Sequence, residues 1–193
     1  MEENRKAATM AVPSEKSFSL TKVKLGKTGG LEVQYEVTET IDGSNYVNNY
    51  HVENGKEVHP DLLGLFKELR SIVARVFGVT SFLSLLEVEP GSRTFAPEFE
   101  DKARAFAEEL LGNIDVRGVA FSGTGDNFGV IIMSEFLSAN GLKSAVNTPR
   151  IKTTLTTFGF EQQLDEITYQ IEREVYAYLF EGKTTQLSLF GDE

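Results

Sequence analysis

The stretch that sets the fold class is Leu31-Glu32-Val33-Gln34-Tyr35-Glu36-Val37-Thr38, continuing through Asp42-Gly43 to Val52. Leu31, Val33, Tyr35 and Val37 alternate with Glu32, Gln34, Glu36 and Thr38. A period of two marks a strand with one face on a core and one in water. Asp42-Gly43 is a hairpin signal, because a type I′ turn needs positive φ at both central residues. Ser44 to Val52 then returns as the partner strand. Upstream, Phe18 to Leu25 reads as another strand, joined to the first by the turn Gly26-Lys27-Thr28-Gly29-Gly30.

Downstream the period changes. Leu62, Leu65, Phe66, Leu69, Ile72, Val73 and Val76 recur at three- and four-residue steps and form one apolar stripe of a helix. His59-Pro60-Asp61 starts it and Gly78 ends it. Phe82 to Val88 reads as a short strand turned by Pro90-Gly91. Glu98 to Leu111 reads as a helix whose inner side is Phe99, Ala103, Phe106 and Leu110. The opening pattern then recurs: Val116 to Ser122, a glycine turn, Phe128 to Ser138, Asn140-Gly141, and a long return strand from Lys143 to Thr157. Phe160 to Phe180 is a helix lined by Leu164, Ile167, Ile171, Val175 and Tyr178. The fold class is therefore α+β, an antiparallel sheet with helices packed on one face. Two readings of that class stand side by side. One is a duplicated βββα unit, residues 18–78 and 116–181, with a helical insert at 79–115. The other is a single undivided body, 17–181. Residues 1–16 and 182–193 read as flexible tails.

The chain has 193 residues, a formal net charge of −10 and no cysteine. Disulfides, thiolate metal sites and cysteine nucleophiles are thereby excluded. No apolar run approaches the ~18 residues of a membrane span, and the N-terminal stretch lacks the apolar core of a secretory signal. The expected location is the cytoplasm, with no membrane partner. A negative balance argues against unspecific duplex binding, but the charges are uneven. Lys16, Lys22, Lys24 and Lys27 fall in a stretch with no acid.

The most informative motif is near the end of the chain: Gln186-Leu187-Ser188-Leu189-Phe190. It matches at every position the motif by which clients of the bacterial DNA polymerase sliding clamp dock, and so resembles it. That resemblance implies that Leu189 and Phe190 enter an apolar pocket, Leu187 a smaller depression, and that Gln186 fixes the register. Burying each large apolar side chain is worth roughly 1.5–3 kcal/mol before ordering costs. Such a pentapeptide arises by chance about twice per million windows. The likeness covers five residues and leaves the body unassigned. An alternative for Phe190-Gly191-Asp192-Glu193, the acidic tip of single-stranded DNA-binding proteins, has its acids and aromatic in the wrong order.

For the body, Thr148, Arg150, Lys152, Thr154 and Thr156 alternate with Ile151 and Leu155, which reads as a polar, basic strand face able to follow a phosphate backbone. Lys22 and Lys24 share a face of the first strand, and Lys27 lies in its turn. Tyr35, Tyr46 and Tyr50 offer rings for base stacking, although Tyr35 shares its face with Val33 and Val37 and fits the core. The repeated βββα order is loosely similar to the Whirly and coactivator-type single-stranded DNA binders. The chain is similar in general character to small phage proteins encoded among replication genes.

No enzymatic or metal motif has its required spacing. Thr21 stands where a phosphate-binding loop ending at Gly26-Lys27-Thr28 would need glycine. His51 and His59 lack a third ligand of metal spacing. The expectation is a non-enzymatic, cofactor-free accessory protein of DNA replication or recombination, recruited by the clamp, with single-stranded DNA on Lys22, Lys24, Lys27, Arg150 and Lys152. A homo-oligomer is left open. The alternative is an acidic regulator that occupies the clamp or a replication enzyme.

Overall fold

The computed structural model describes residues 16–27, 29–55, 57–78, 97–153 and 159–183. The segment Phe82 to Val88, the turn at Pro90-Gly91, and the pentapeptide Gln186 to Phe190 lie outside the described residues. The strands are β1 (Lys16–Leu25), β2 (Leu31–Ile41), β3 (Ser44–Asn54), β4 (Ile114–Ser122), β5 (Gly129–Leu137) and β6 (Lys143–Ala145). The helices are α1 (Pro60–Val76), α2 (Pro97–Gly112) and α3 (Glu161–Phe180).

All six strands form one sheet in the order β3-β2-β1-β4-β5-β6, every neighbour antiparallel. The hairpin at Asp42-Gly43 forms as expected, with φ of 50° and 77°. Inward side chains of four strands meet α1 and α3. Val23, Val33, Val119, Val130 and Ile132 are sealed beneath Leu69, Ile72, Leu164, Ile171 and Val175 in one continuous core. The α1 stripe is buried as its periodicity requires, and His59 caps its start by accepting the Asp61 amide on Nδ1, 3.3 Å away. Among the described residues, no helix is long and apolar enough to cross a membrane.

The strand order reads the same from either edge if the halves are exchanged. β1 and β4 sit antiparallel at the centre, β2 and β5 flank them, and β3 and β6 lie at the edges, each leading towards a helix. The two inner strands each carry a register shift, between Leu20 and Lys22 and between Val116 and Gly118.

Two sequence expectations are corrected. Of the long strand expected from Lys143 to Thr157, the described residues are regular only over Lys143–Ala145. Beyond it the chain still tracks β5, but side chains take over part of the ladder. Thr148 Oγ1 accepts the Ile132 amide at 2.9 Å and Asn147 Oδ1 accepts the Ser134 amide at 3.3 Å. Ser134 Oγ donates to the Val146 carbonyl. Backbone amides still contribute, from Val146 to the Ser134 carbonyl at 2.8 Å and from Thr148 to the Ile132 carbonyl at 3.0 Å. Pro149 has no amide hydrogen to offer, and a two-way backbone pair forms again at the bridge between Val130 and Ile151. Thr148 is consequently buried, whereas Arg150 is exposed, so the two do not share a polar face. Of that expected face, Thr154 and Thr156 lie outside the described residues.

The second correction concerns α2. It buries Glu100, Ala103 and Ala107, while Phe99 and Phe106 are 59% and 50% exposed. Alanines let a helix approach its neighbours closely, and the stripe at 100, 103 and 107 has the required spacing.

The two halves of the sheet join through Lys22–Ala120, Val23–Val119 and Lys24–Gly118. A Cβ on Gly118 would stand 2.2 Å from the Val23 carbonyl oxygen and 2.6 Å from Lys24 Cα, so only glycine fits. Gly118→Ala is expected to force the central strands apart and cost on the order of 1–3 kcal/mol. Calorimetry should show a clearly lowered melting temperature; an unchanged one would show that the junction yields freely.

Candidate nucleic-acid interface

Val23 points into the core, so Lys22 and Lys24 on either side of it point outward, to the sheet face away from α1 and α3. There they meet an acid that sequence reasoning had not paired with them. Glu32 of β2 sits opposite Lys24 in the ladder. Lys24 Nζ is 2.6 Å from its Oε2, and Lys22 Nζ is 3.7 Å from Oε1. His51 Nε2 lies 3.7 Å from the same carboxylate and 3.6 Å from Glu53. The Lys24 hydrogen bond holds the Glu32 carboxyl below its ordinary range; burial pulls the other way, and the charges of Lys24, Lys22 and His51 assist.

Arg150 reaches the same outward face at the far side of β5. Its stem lies over Gly129, with Cγ 2.8 Å from where a Cβ would stand. Lys152 Nζ donates to Asn127 Oδ1 at 3.1 Å, in the turn between β4 and β5. Lys27 is exposed in the turn between β1 and β2. Because β1 and β4 run antiparallel, these two turns lie at opposite ends of the sheet. The five cations therefore mark a diagonal across it: Lys27 at one end, Lys24 and Lys22 in the middle, Arg150 and Lys152 at the other.

The tyrosines lie elsewhere. Tyr35 is buried on the helix side and stacks on Tyr50, with centroids 5.0 Å apart and rings 11° from parallel. Phe18 packs between Tyr35 and Tyr176 at 5.3 and 5.4 Å, and Tyr176 meets Phe180 at 4.9 Å. Ladder register decides this, because Tyr50 stands opposite Tyr35 and must share its face. The lysine diagonal and the aromatic cluster thus occupy opposite faces, and a strand on the lysines does not stack on these rings.

A second charged cluster ties α3 to α1. Lys183 Nζ is 2.8 Å from Asp61 Oδ2 and 2.5 Å from Glu174 Oε2, with His59 Nδ1 3.3 Å from Asp61. The hydrogen bond from Lys183 holds Asp61 below its ordinary range, and the bonds to Asp61 and Glu174 raise Lys183 above its own. The cluster borders a cleft of about 840 Å³ that also includes Phe18, Tyr169 and Tyr176. Among the described residues, two groups have ligand atoms close enough for a metal ion, Glu32-His51-Glu53 and His59-Asp61-Glu174. In each, a lysine ammonium already bonds the carboxylate a metal would use, which makes them ion-pair networks. No spacing rule would have found them, since their members come from different elements. Lys183 is also the last described residue before the Gln186–Phe190 pentapeptide.

No family model, curated protein or solved structure matches this chain.

Glu32 generates a pH prediction. Its carboxyl is lowered on folding, so its contribution is complete above the unfolded value near 4.5 and is lost as pH falls through the folded value. Glu32→Gln should lower the melting temperature at neutral pH and flatten its decline below pH 4.5. An acid limb as steep as that of the parent protein would place the titration elsewhere.

Proposed function

We propose that this chain is a non-enzymatic accessory protein of DNA replication or recombination, recruited by the bacterial sliding clamp, whose body engages single-stranded DNA along the diagonal of Lys27, Lys24, Lys22, Arg150 and Lys152. The observation that carries the reading is the pentapeptide Gln186-Leu187-Ser188-Leu189-Phe190, which begins three residues beyond Lys183. Lys183 holds the end of α3 to the start of α1. Five cations aligned across an antiparallel sheet support the DNA part, because a single strand laid across them meets a cation at intervals.

One observation favours a second reading. Lys22 and Lys24 are both engaged by Glu32, which weakens their attraction for phosphate, and the net charge is −10. On that reading the body is an acidic regulator that occupies the clamp and excludes DNA.

Two measurements separate these. Leu189→Ala with Phe190→Ala should abolish association with a bacterial sliding clamp and leave the melting temperature unchanged. Retained association would show that the pentapeptide is not what binds the clamp and would remove the observation on which both readings rest. Fluorescence anisotropy with labelled single-stranded DNA then tests the body. Arg150→Gln with Lys152→Gln should weaken binding and reduce the salt slope by about 0.7 for each phosphate left without its cation, while Glu32→Gln should strengthen it by freeing two lysines. No binding by the parent protein at low salt would leave the acidic regulator.

A further inference from the structure

The edge strand β3 is unlike the rest of the sheet. It runs eleven residues, pairs with β2 along its whole length without a register shift, and is exposed over most of its residues. Its hydrogen bonding follows from the hairpin. A two-residue turn closes on a hydrogen-bonded pair, here Ile41–Ser44, and such pairs alternate along an antiparallel ladder. Ser44, Tyr46, Asn48, Tyr50, Val52 and Asn54 therefore direct their amides and carbonyls to β2. Asn45, Val47, Asn49, His51 and Glu53 direct theirs away from the sheet, to an edge that no strand pairs with among the described residues.

Natural edges are protected by lysine, proline, bulges or brevity. From Ser44 to Asn54 there is no lysine and no proline, and from Ser44 to Tyr50 there is no charge at all. The same strand exposes Tyr46, Val47 and Tyr50 by 55%, 53% and 45%. An open ladder with exposed rings and no repelling charge is built to receive another strand.

We propose that the strand it receives is β3 of a second copy of this chain, antiparallel and centred on Asn49. That register uses the full strand. Asn49 faces Asn49, Val47 faces His51 and Asn45 faces Glu53, so all five outward residues find hydrogen-bonding partners. The one carboxylate of each strand, Glu53, meets a neutral amide and not its like. On the helix side, Tyr46 falls opposite Val52 and Tyr50 opposite Asn48, which covers part of the exposed rings. The contact is isologous: the same patch serves both copies about a two-fold axis. A foreign peptide would need its own complementary sequence, whereas β3 already supplies one.

Sedimentation velocity on the full chain across a dilution series tests the pairing. The parent protein should sediment at twice its 21.4 kDa chain mass. Asn49→Pro removes only an outward amide and leaves the bonds to β2 in place. Val47→Lys adds a positive charge to the edge. Each should raise the dimer dissociation constant about tenfold or more, with the circular dichroism spectrum unchanged. If Asn49→Pro fails to fold, Val47→Lys decides alone. A parent protein that stays monomeric throughout overturns the proposal, as does a dimer that both folded variants form as tightly as the parent.

Discussion

The close passage of β1 against β4 is the constraint on which the rest of the molecule depends. Only three residue pairs join the two halves of the sheet there, and one of them exists because Gly118 carries no side chain. That junction lets Val23 and Val119 lie side by side on the inner face. Their combined surface is wide enough for α1 and α3 to pack as a pair, and those helices then bridge the seam from above. Without the junction, each half would be a three-stranded sheet with one helix and too little area to bury its apolar face.

One-sided coverage divides the chemistry. The covered face holds nearly all of the apolar residues and gathers aromatic rings where α3 runs out over β1 and β2. The uncovered face holds charge, and there cations and carboxylates are matched locally by ladder pairing: Glu32 lies opposite Lys24 and beside Lys22. A chain of strongly negative net charge thus keeps a band of positive side chains, in part because each inner lysine has an acid to hold it in place. Ionic contacts of this kind position side chains more than they stabilise the fold.

How much of this was legible depended on distance along the chain. Local periodicity was enough for β2, β3, the Asp42-Gly43 turn, α1 and α3, whose apolar positions repeat without interruption. It failed at residues 146–150, where alternation continued in the letters but Asn147 Oδ1 and Thr148 Oγ1 accept β5 amides in place of backbone carbonyls and Pro149 offers no amide. It also failed on α2, where large rings suggested an inner face that the small alanines in fact provide. The cation positions could be read, but not their neutralisation, because Glu32 reaches Lys22 and Lys24 only through strand register. Lys183, Asp61 and Glu174 come from three places in the chain, and no local pattern joins them. The resemblance of Gln186–Phe190 to a docking peptide was legible because docking peptides of this kind bind as extended segments, so residue order alone carries the likeness.

The irregular stretch after β6 bears on solubility. Cross-β growth requires a template at both sides of each unit, since every added molecule must offer a fresh edge to the next. Here one side presents eleven uninterrupted residues. The other offers a three-residue strand followed by a proline and a ladder made partly of side chains. Brevity and a proline are among the features that protect natural edges, so the two sides of the sheet are unequal: Asn147-Thr148-Pro149 interrupts one, whereas β3 runs its full length on the other.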